Sequence, residues 1–134
     1  MSTKRNPTDP GEWLRRARSN LARAKADLGS ADMLLEDSCF DAQQAAGKAL
    51  KALLVKCQVR FGKTHDLVNL LGLLQDTGIR VPDDVLQAAE LTPYAVDSRY
   101  PGLYEDVTPE EYREAVRLAE RVVRWAEQIL QEYR

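Results

Sequence analysis

The stretch Phe40-Asp41-Ala42-Gln43-Gln44-Ala45-Ala46-Gly47-Lys48-Ala49-Leu50-Lys51-Ala52-Leu53-Leu54 is dominated by alanine and leucine, which favour helices strongly. Its apolar residues recur at steps of three and four, which predicts one helix that begins at Asp37 or Ser38. The predicted buried side consists of Cys39, Ala42, Ala46, Ala49, Leu50, Leu53, Leu54 and Cys57. The other side carries Gln44, Lys48 and Lys51 beside the small residues Gly47 and Ala52. That second side fits either close approach by another helix or a solvated surface.

The segment before this helix is predicted to be one long helix over about 10–36. Asp9 is placed to cap it, Pro10 suits its first turn, and Glu12 stands at its third position. An apolar stripe continues through Gly29-Ser30, and it consists of Leu14, Ala17, Leu21, Ala24, Leu28, Ala31 and Leu35.

Three further helices are indicated after residue 60. Thr64 is placed to cap a third helix that buries leucines from Leu67 to Leu74, and Thr77-Gly78 ends it. A fourth begins at Val81-Pro82-Asp83-Asp84, and residues 97–106 are predicted to form a loop. Thr108-Pro109-Glu110-Glu111 is a capping box that begins the last helix. No segment alternates with period two, so the predicted fold is all-α, an antiparallel up-and-down helical bundle of four to five helices.

Length and composition fit one soluble domain over residues 1–134, with 1–9 as a flexible N-terminal tail. No apolar run is long enough to span a bilayer, so we expect no membrane partner and a cytoplasmic location. Cys39 and Cys57 are expected to be free, buried thiols. Two cysteines and one histidine are too few for a structural zinc site within one chain, and no cofactor is expected.

The net charge of −2 conceals an uneven distribution. Residues 1–25 and 45–65 are basic, whereas residues 82–114 are mostly acidic. The basic part fits phosphate binding. The favoured alternative is that both parts are solvated faces that attract each other within the chain or across a dimer, because no aromatic residue interleaves with the basic residues of 45–58.

His65 is the only histidine, and it follows Arg60 by five residues. An arginine and a histidine at this spacing suit a ribonuclease site, with the imidazole as base and the guanidinium holding the phosphate. The alternative is structural: His65 and Asp66 lie in the first turn of the third helix behind Thr64. There the helix dipole favours a neutral, hydrogen-bonded imidazole. The structural interpretation is favoured, although a neutral imidazole can still act as a base.

Three pieces in order, the stretch 40–54, Lys63-Thr64-His65-Asp66-Leu67 and Ser98-Arg99-Tyr100-Pro101, resemble the prokaryotic HEPN domain. The resemblance extends from the first predicted helix to the last. It implies a bundle of four or five helices, a homodimer, and a small nucleotidyltransferase as partner, often as toxin and antitoxin. Active members are metal-independent ribonucleases with an Arg, four to six residues, and then a His.

The sequence departs from that pattern in two places. On the resembling register the catalytic arginine is Arg99, but Tyr104 stands where a histidine would be expected, and its phenol titrates too high for a good base. Gly47 replaces the glutamate usual in the helix signature.

The first hypothesis is therefore a dimeric HEPN-like binding or regulatory subunit for a nucleotide, RNA or a nucleotidyltransferase. Its candidate contacts for nucleotide or phosphate are Arg99, Tyr100, Tyr104, Lys48 and Lys51. The second is a ribonuclease toxin with His65 and Arg60 as catalytic residues, in which His65 is the base and either Arg60 or Arg99 holds the phosphate. The third is a dimeric scaffold without a small ligand. Lys48 and Lys51 also fit a solvated face, and Trp13 and Trp125 fit core or interface anchors.

Overall fold

The computed structural model describes residues 6–26, 32–95, 101–102 and 105–132. These residues form a bundle of helices and contain no strand, so the predicted all-α helical bundle is confirmed. The α-helices are α1 (Pro10–Ala24), α2 (Leu35–Lys56), α3 (Leu67–Asp76), α4 (Asp83–Leu86) and α5 (Pro109–Glu132). A 3-10 helix, Gln87–Ala95, continues directly from α4 and contains Pro93.

Helix α2 lies at the centre of the bundle, with α1, α3, the 3-10 helix and α5 packed around it. It begins at Leu35, two to three residues before the predicted start. Most of its side chains are buried, and the small residues Ala45, Gly47 and Ala52 let neighbouring helices approach closely on more than one side. The interpretation of its second side as a solvated surface is wrong, because Lys51 is only 7% exposed.

Helix α1 runs antiparallel to both other long helices. Near its end, Arg23 Nε lies 3.6 Å from Asp41 Oδ2 at the start of α2. Against α5, Arg18 pairs with Glu127 at 2.7 Å and Lys25 pairs with Glu120 at 2.8 Å. Helices α2 and α5 therefore run in the same direction, and the segment between them crosses from one end of the bundle to the other.

The prediction of one helix over about 10–36 is wrong. Helix α1 ends at Ala24, and Leu34 has extended backbone angles (φ −100°, ψ 136°), which a continuous helix cannot contain. The amide of Ala26 donates to the carbonyl of Arg23, which tightens the last turn. The Tyr112 hydroxyl of α5 donates to the carbonyl oxygen of Ala24 at 2.7 Å. A tertiary contact thus satisfies a carbonyl that the helix end leaves open.

Helices α1, α3 and α5 each begin at a side-chain cap. Asp9 caps α1, since its Oδ1 accepts from the amide of Gly11 at 2.9 Å. The predicted box at α5 is confirmed: Thr108 Oγ1 accepts from the amide of Glu111, and Glu111 Oε1 accepts from the amide of Thr108, both at 3.1 Å. At α3 the cap is Asp66 and not Thr64, because Asp66 Oδ1 accepts from the amide of Val68 at 3.0 Å.

The prediction of one domain with a flexible tail over 1–9 stays a prediction. Within that tail, residues 6–9 form a turn in which the amide of Asp9 donates to the carbonyl of Asn6.

None of the described helices is long and apolar enough to cross a membrane. Within the same residues no cluster of three or more His, Cys, Asp or Glu could hold a metal ion. Both cysteines are free, and Cys39 is buried as expected, but Cys57 is exposed because α2 ends at Lys56.

Candidate functional site

A pocket of about 820 Å³ opens between the first turns of α1, the middle of α2 and the loop that precedes α3. Its lining combines positive charge with two aromatic rings, which belong to Trp13 and Phe61. The basic groups and the single imidazole come from α1, α2 and the loop, and they are Arg16, Lys48, Lys51, Lys63 and His65. These groups lie far apart in the sequence, and the antiparallel packing of α1 on α2 brings them together.

Lys51 lies at the centre of this pocket. Its Nζ is 5.6 Å from the centroid of the Trp13 ring and 5.7 Å from that of Phe61, within the range of cation–π attraction. The two rings meet edge to face, with centroids 5.7 Å apart. Among the residues that the structure describes, Lys51 forms no ion pair with a carboxylate. A buried ammonium without a carboxylate is costly, and an incoming anion would relieve that cost.

Lys48 lies on the same side of α2, and it is anchored. Its Nζ donates to Asn20 Oδ1 at 2.7 Å, and Asn20 Nδ2 in turn donates to Asp41 Oδ1 at 3.0 Å. The Asp41 carboxylate therefore reaches Lys48 only through an amide. This buried chain fixes the Lys48 ammonium at the edge of the pocket and leaves its charge only partly balanced.

Glu12 is the one carboxylate among the lining residues. Arg15 grips it with two hydrogen bonds at 3.1 and 2.8 Å, and Arg16 Nε donates to it at 2.9 Å. Glu12 is 8% exposed, and the two guanidinium groups bring two positive charges to its one negative charge. The pocket therefore presents a net positive charge.

The pKa values of the central groups follow from burial and mutual repulsion. Burial lowers the pKa of Lys48, and the charges of Arg16 and Arg23 lower it further. Burial, followed by the charge of Lys48, lowers the pKa of Lys51. His65 keeps an exposed part, and its pKa is lowered by the burial of the remainder and then by Lys51 and Lys48. A bound anion would reverse the repulsive part of each shift.

The ring of His65 is held by a chain of hydrogen bonds that begins at its own backbone. Gln43, fully buried, donates Nε2 to the carbonyl oxygen of His65 at 2.6 Å. A carbonyl only accepts, so this bond fixes which end of the Gln43 amide is nitrogen. Gln43 Oε1 then accepts from Gln44 Nε2 at 2.8 Å, and the same Nε2 lies 3.2 Å from His65 Nδ1. An N–H group pointed at Nδ1 requires that this nitrogen accept.

The tautomer of His65 follows from that chain. With Nδ1 accepting, a neutral imidazole carries its proton on Nε2. His65 then offers an N–H donor, while its basic lone pair is engaged by Gln44. A general base for the 2′-hydroxyl of RNA needs a free lone pair, so this arrangement suits ligand binding better than proton abstraction.

The sequence-predicted site residues divide into three groups. His65, Lys48 and Lys51 come together in the pocket. Arg60 is exposed and does not line it, although the neighbouring Phe61 does. Arg99, Tyr100 and Tyr104 lie outside the described residues.

Four contributors to the charge and ring surface of the pocket were not predicted as site residues: Trp13, Arg16, Phe61 and Lys63. The lack of rings among residues 45–58 counted against base stacking, but the two rings of the pocket come from α1 and from the loop after α2. One signal was available, since Trp13 and Arg16 are three residues apart in a predicted helix and therefore lie on neighbouring parts of one face. Trp125 is buried, as a core residue would be.

The favoured account of the charge distribution, attraction between basic and acidic segments, has no ion pair to support it within the described residues. Arg18, Arg23 and Lys25 pair with residues of α2 and α5 outside 82–114, and Asp84 pairs with Arg121. Over the part of the acidic segment that the structure describes, no ion pair with the basic pocket is formed.

The family comparison agrees with this architecture. The HEPN domain model matches residues 11–129 of the chain. The chain belongs to the HEPN family. Its bundle and its pocket are therefore those of a HEPN protein.

Solved structures give the same result. TT1696 from Thermus thermophilus is 36% identical, with a TM-score of 0.74, and the match covers 89% of this chain and 96% of that chain. ST0689, an archaeal HEPN homologue, is 27% identical, with a TM-score of 0.67 and coverage of 90% and 96%. A HEPN domain protein from Thermotoga maritima, tm0613, is 23% identical over 91% and 93%, with a TM-score of 0.56, and supports the fold alone. No curated protein matches the sequence.

Proposed function

We propose that this HEPN protein binds a phosphorylated nucleotide in the pocket around Lys51. The observation that carries the proposal is the Lys51 ammonium itself, which is buried, flanked by Trp13 and Phe61, and without a carboxylate among the described residues. The ligand's phosphate supplies the missing negative charge. The aromatic rings supply a surface on which a base of any identity stacks.

The size and lining of the pocket support a ligand of this class. A volume of about 820 Å³ lies within the range of small-molecule sites, which is roughly 300–1,000 Å³. Arg16, Lys48 and Lys63 surround Lys51 with donors for phosphate oxygens. Those donors come from three separate elements, so the folded bundle, and not one helix, defines the site.

The role within a cell that fits a nucleotide-binding HEPN subunit is regulatory. We propose a homodimer that acts as the partner of a minimal nucleotidyltransferase and binds its nucleotide or RNA ligand. The support is the family membership alone. Co-purification of a coexpressed neighbouring nucleotidyltransferase, together with the dimer mass in light scattering, tests this part. A monomer that captures no such enzyme contradicts it.

The main alternative is a metal-independent ribonuclease toxin. His65 favours it by its place in a basic pocket, but the engagement of Nδ1 by Gln44 and the exposure of Arg60 outside the pocket weigh against it. Cleavage of RNA in the presence of a chelator, measured for wild type, His65→Ala and Arg99→Ala, separates the two. Cleavage that His65→Ala abolishes in a folded protein establishes the ribonuclease and removes the binding-subunit proposal.

The nucleotide site is tested by calorimetric titration with ATP in chelator. We expect saturable binding to wild type and a loss of at least about tenfold in Lys51→Met, equivalent to about 1.4 kcal/mol. The matched control is Lys56→Met, which removes an exposed lysine from the last turn of the same helix and outside the pocket. Binding that Lys51→Met and Lys56→Met affect equally contradicts the site. No saturable binding to wild type favours the scaffold without a small ligand.

A further inference from the structure

We infer that the pocket recognises the phosphate chain of its ligand and ranks nucleotides by phosphate number, with little preference for the base. This inference rests on the proposed function and specifies what that site reads. It follows from an imbalance in the lining, in which four cationic side chains face one carboxylate that two arginines already hold. The four cations come from three separate elements.

The donors can contact more than one phosphate group at once. Arg16 stands on α1, Lys48 and Lys51 stand one turn apart on α2, and Lys63 lies in the loop before α3. A single phosphate group placed beside Lys51 leaves other cations facing water. The cations repel one another, as the lowering of the Lys51 pKa by Lys48 indicates. Each additional phosphate brings negative charge that offsets this repulsion.

His65, which lines the pocket beside the lysines, also offers a hydrogen-bond donor. The chain from the His65 carbonyl through Gln43 and Gln44 fixes the imidazole as an Nε2–H donor. Glu12 is held by Arg15 and Arg16. Phosphate oxygens are acceptors only, whereas each nucleobase edge combines donors and acceptors. A lining dominated by donors therefore suits the phosphate end of the ligand.

The remaining part of the pocket is suited to a ring and not to one base. Trp13 and Phe61 offer aromatic surface, and stacking on such surface tolerates every base. Gln44 is the one side-chain amide among the lining residues, and one amide is too few to distinguish four bases by paired hydrogen bonds. Affinity should therefore change far more with phosphate number than with the base.

The test is calorimetric titration of the whole chain, in chelator and at low salt, with AMP, ADP, ATP, GTP, CTP, UTP and inorganic triphosphate. We expect affinity to rise by about tenfold for each added phosphate, equivalent to about 1.4 kcal/mol per step. The four nucleoside triphosphates should agree within about fivefold. Inorganic triphosphate should compete with ATP for the pocket. Added salt should weaken the binding of ATP more than the binding of AMP.

Two variants keep the test independent of folding. Lys51→Met removes the central charge with a side chain of similar length, and Lys63→Ser removes an exposed loop charge that the helices do not need. Both should reduce the ratio of ATP to AMP affinity, whereas Lys56→Met should retain it. AMP binding as tight as ATP, or one base preferred by more than about tenfold, overturns the inference and leaves the nucleotide site standing. Absence of binding by every nucleotide overturns the proposed function as well.

Discussion

The Nε2–H group of Gln44 donates to His65 Nδ1, with 3.2 Å between the two nitrogens. The orientation of the Gln44 amide is fixed because Gln43 donates to the backbone carbonyl of His65 and accepts from Gln44. The only histidine of the chain thus has its tautomer fixed by two glutamines of α2. The pair Gln43-Gln44 has a physical role in the fold, since it ties the loop before α3 to the central helix. It also turns a candidate base into a donor that faces a basic pocket.

The first prediction concerns the protonation of His65. Because the chain has one histidine, its imidazole gives a single set of signals in nitrogen-15 NMR. We expect the proton of the neutral ring on Nε2 and a pKa below the usual value near 6.5, because burial and the charges of Lys51 and Lys48 disfavour the imidazolium. A neutral ring protonated on Nδ1, or a pKa above the usual value, contradicts the hydrogen-bond chain.

The second prediction tests the chain through Gln44→Glu. A carboxylate at this position accepts a proton from Nδ1 and attracts the imidazolium, so the pKa of His65 should rise. Relative to wild type, a higher folded-state pKa gives Gln44→Glu a gain in stability that is fully present below the wild-type folded pKa and is lost as the pH rises through the folded pKa of the variant. The pH titration of the histidine signal checks the shift, with Gln75→Glu at an exposed position on α3 as the control. Equal pKa values in wild type and Gln44→Glu would refute the contact.

The third prediction concerns Lys51 and the pH dependence of stability. Burial and Lys48 lower its folded-state pKa below the usual value of 10.5, so the unfolded chain binds the proton more tightly. The resulting destabilisation is fully present below the folded pKa and is relieved as the pH rises toward 10.5. Relative to Lys51→Met, wild type should gain stability between pH 7 and pH 10.

Urea unfolding of wild type and Lys51→Met at both pH values measures this difference without ligand. Lys56→Met, which removes an exposed lysine, should show no comparable gain relative to wild type. The burial of Lys51 is contradicted if the difference in free energy of unfolding between wild type and Lys51→Met is the same at both pH values. It is also contradicted if Lys51→Met gains more stability than wild type as the pH rises.

The fourth prediction concerns Gly47 in the middle of α2. A Cβ built there meets Leu67 Cδ2 at 3.5 Å, which is ordinary contact, and the backbone is helical. Gly47→Ala should therefore stabilise the fold by about 0.5–1 kcal/mol, because alanine restricts the unfolded chain. Gly78→Ala should instead destabilise it, since Gly78 has φ +91° after α3. Thermal unfolding compares the two, and a loss of stability in Gly47→Ala would mean that α2 and α3 pack too closely for a methyl group.

Much of the fold could be predicted from local sequence signals. The start of α5 depends on Thr108 and Glu111, which are three residues apart and whose side chains each accept from the other's backbone amide. Both partners of this cap are therefore visible in the local sequence. The end of α3 at Thr77-Gly78 is local in the same way. The end of α1 is different, because the hydroxyl that satisfies the Ala24 carbonyl belongs to Tyr112, in another helix. Apolar periodicity continued past that point and predicted a helix that is too long.

The candidate site could be predicted only in part, for the same reason. His65, Lys48 and Lys51 were identified from their residue types and local pattern. Their burial and the rings beside Lys51 depend on how α1 crosses α2, which places Trp13 and Phe61 around one ammonium. Thr64 was an adequate cap by residue type, but Asp66 makes the bond to Val68, and Thr64 Oγ1 accepts from the amide of Asp66 instead. Competition between two adjacent capping residues is decided by the loop, which the sequence pattern does not specify.

Occupancy of the Lys51 pocket by a nucleotide can be read from the imidazole signal of His65 while the whole chain is titrated with ATP in chelator. We expect a saturable shift of that signal in wild type and in Lys56→Met, and its loss in Lys51→Met at the same ligand concentrations. ATP that binds by calorimetry while the His65 signal stays unchanged would contradict the proposed site, because the ligand would then occupy another part of the molecule.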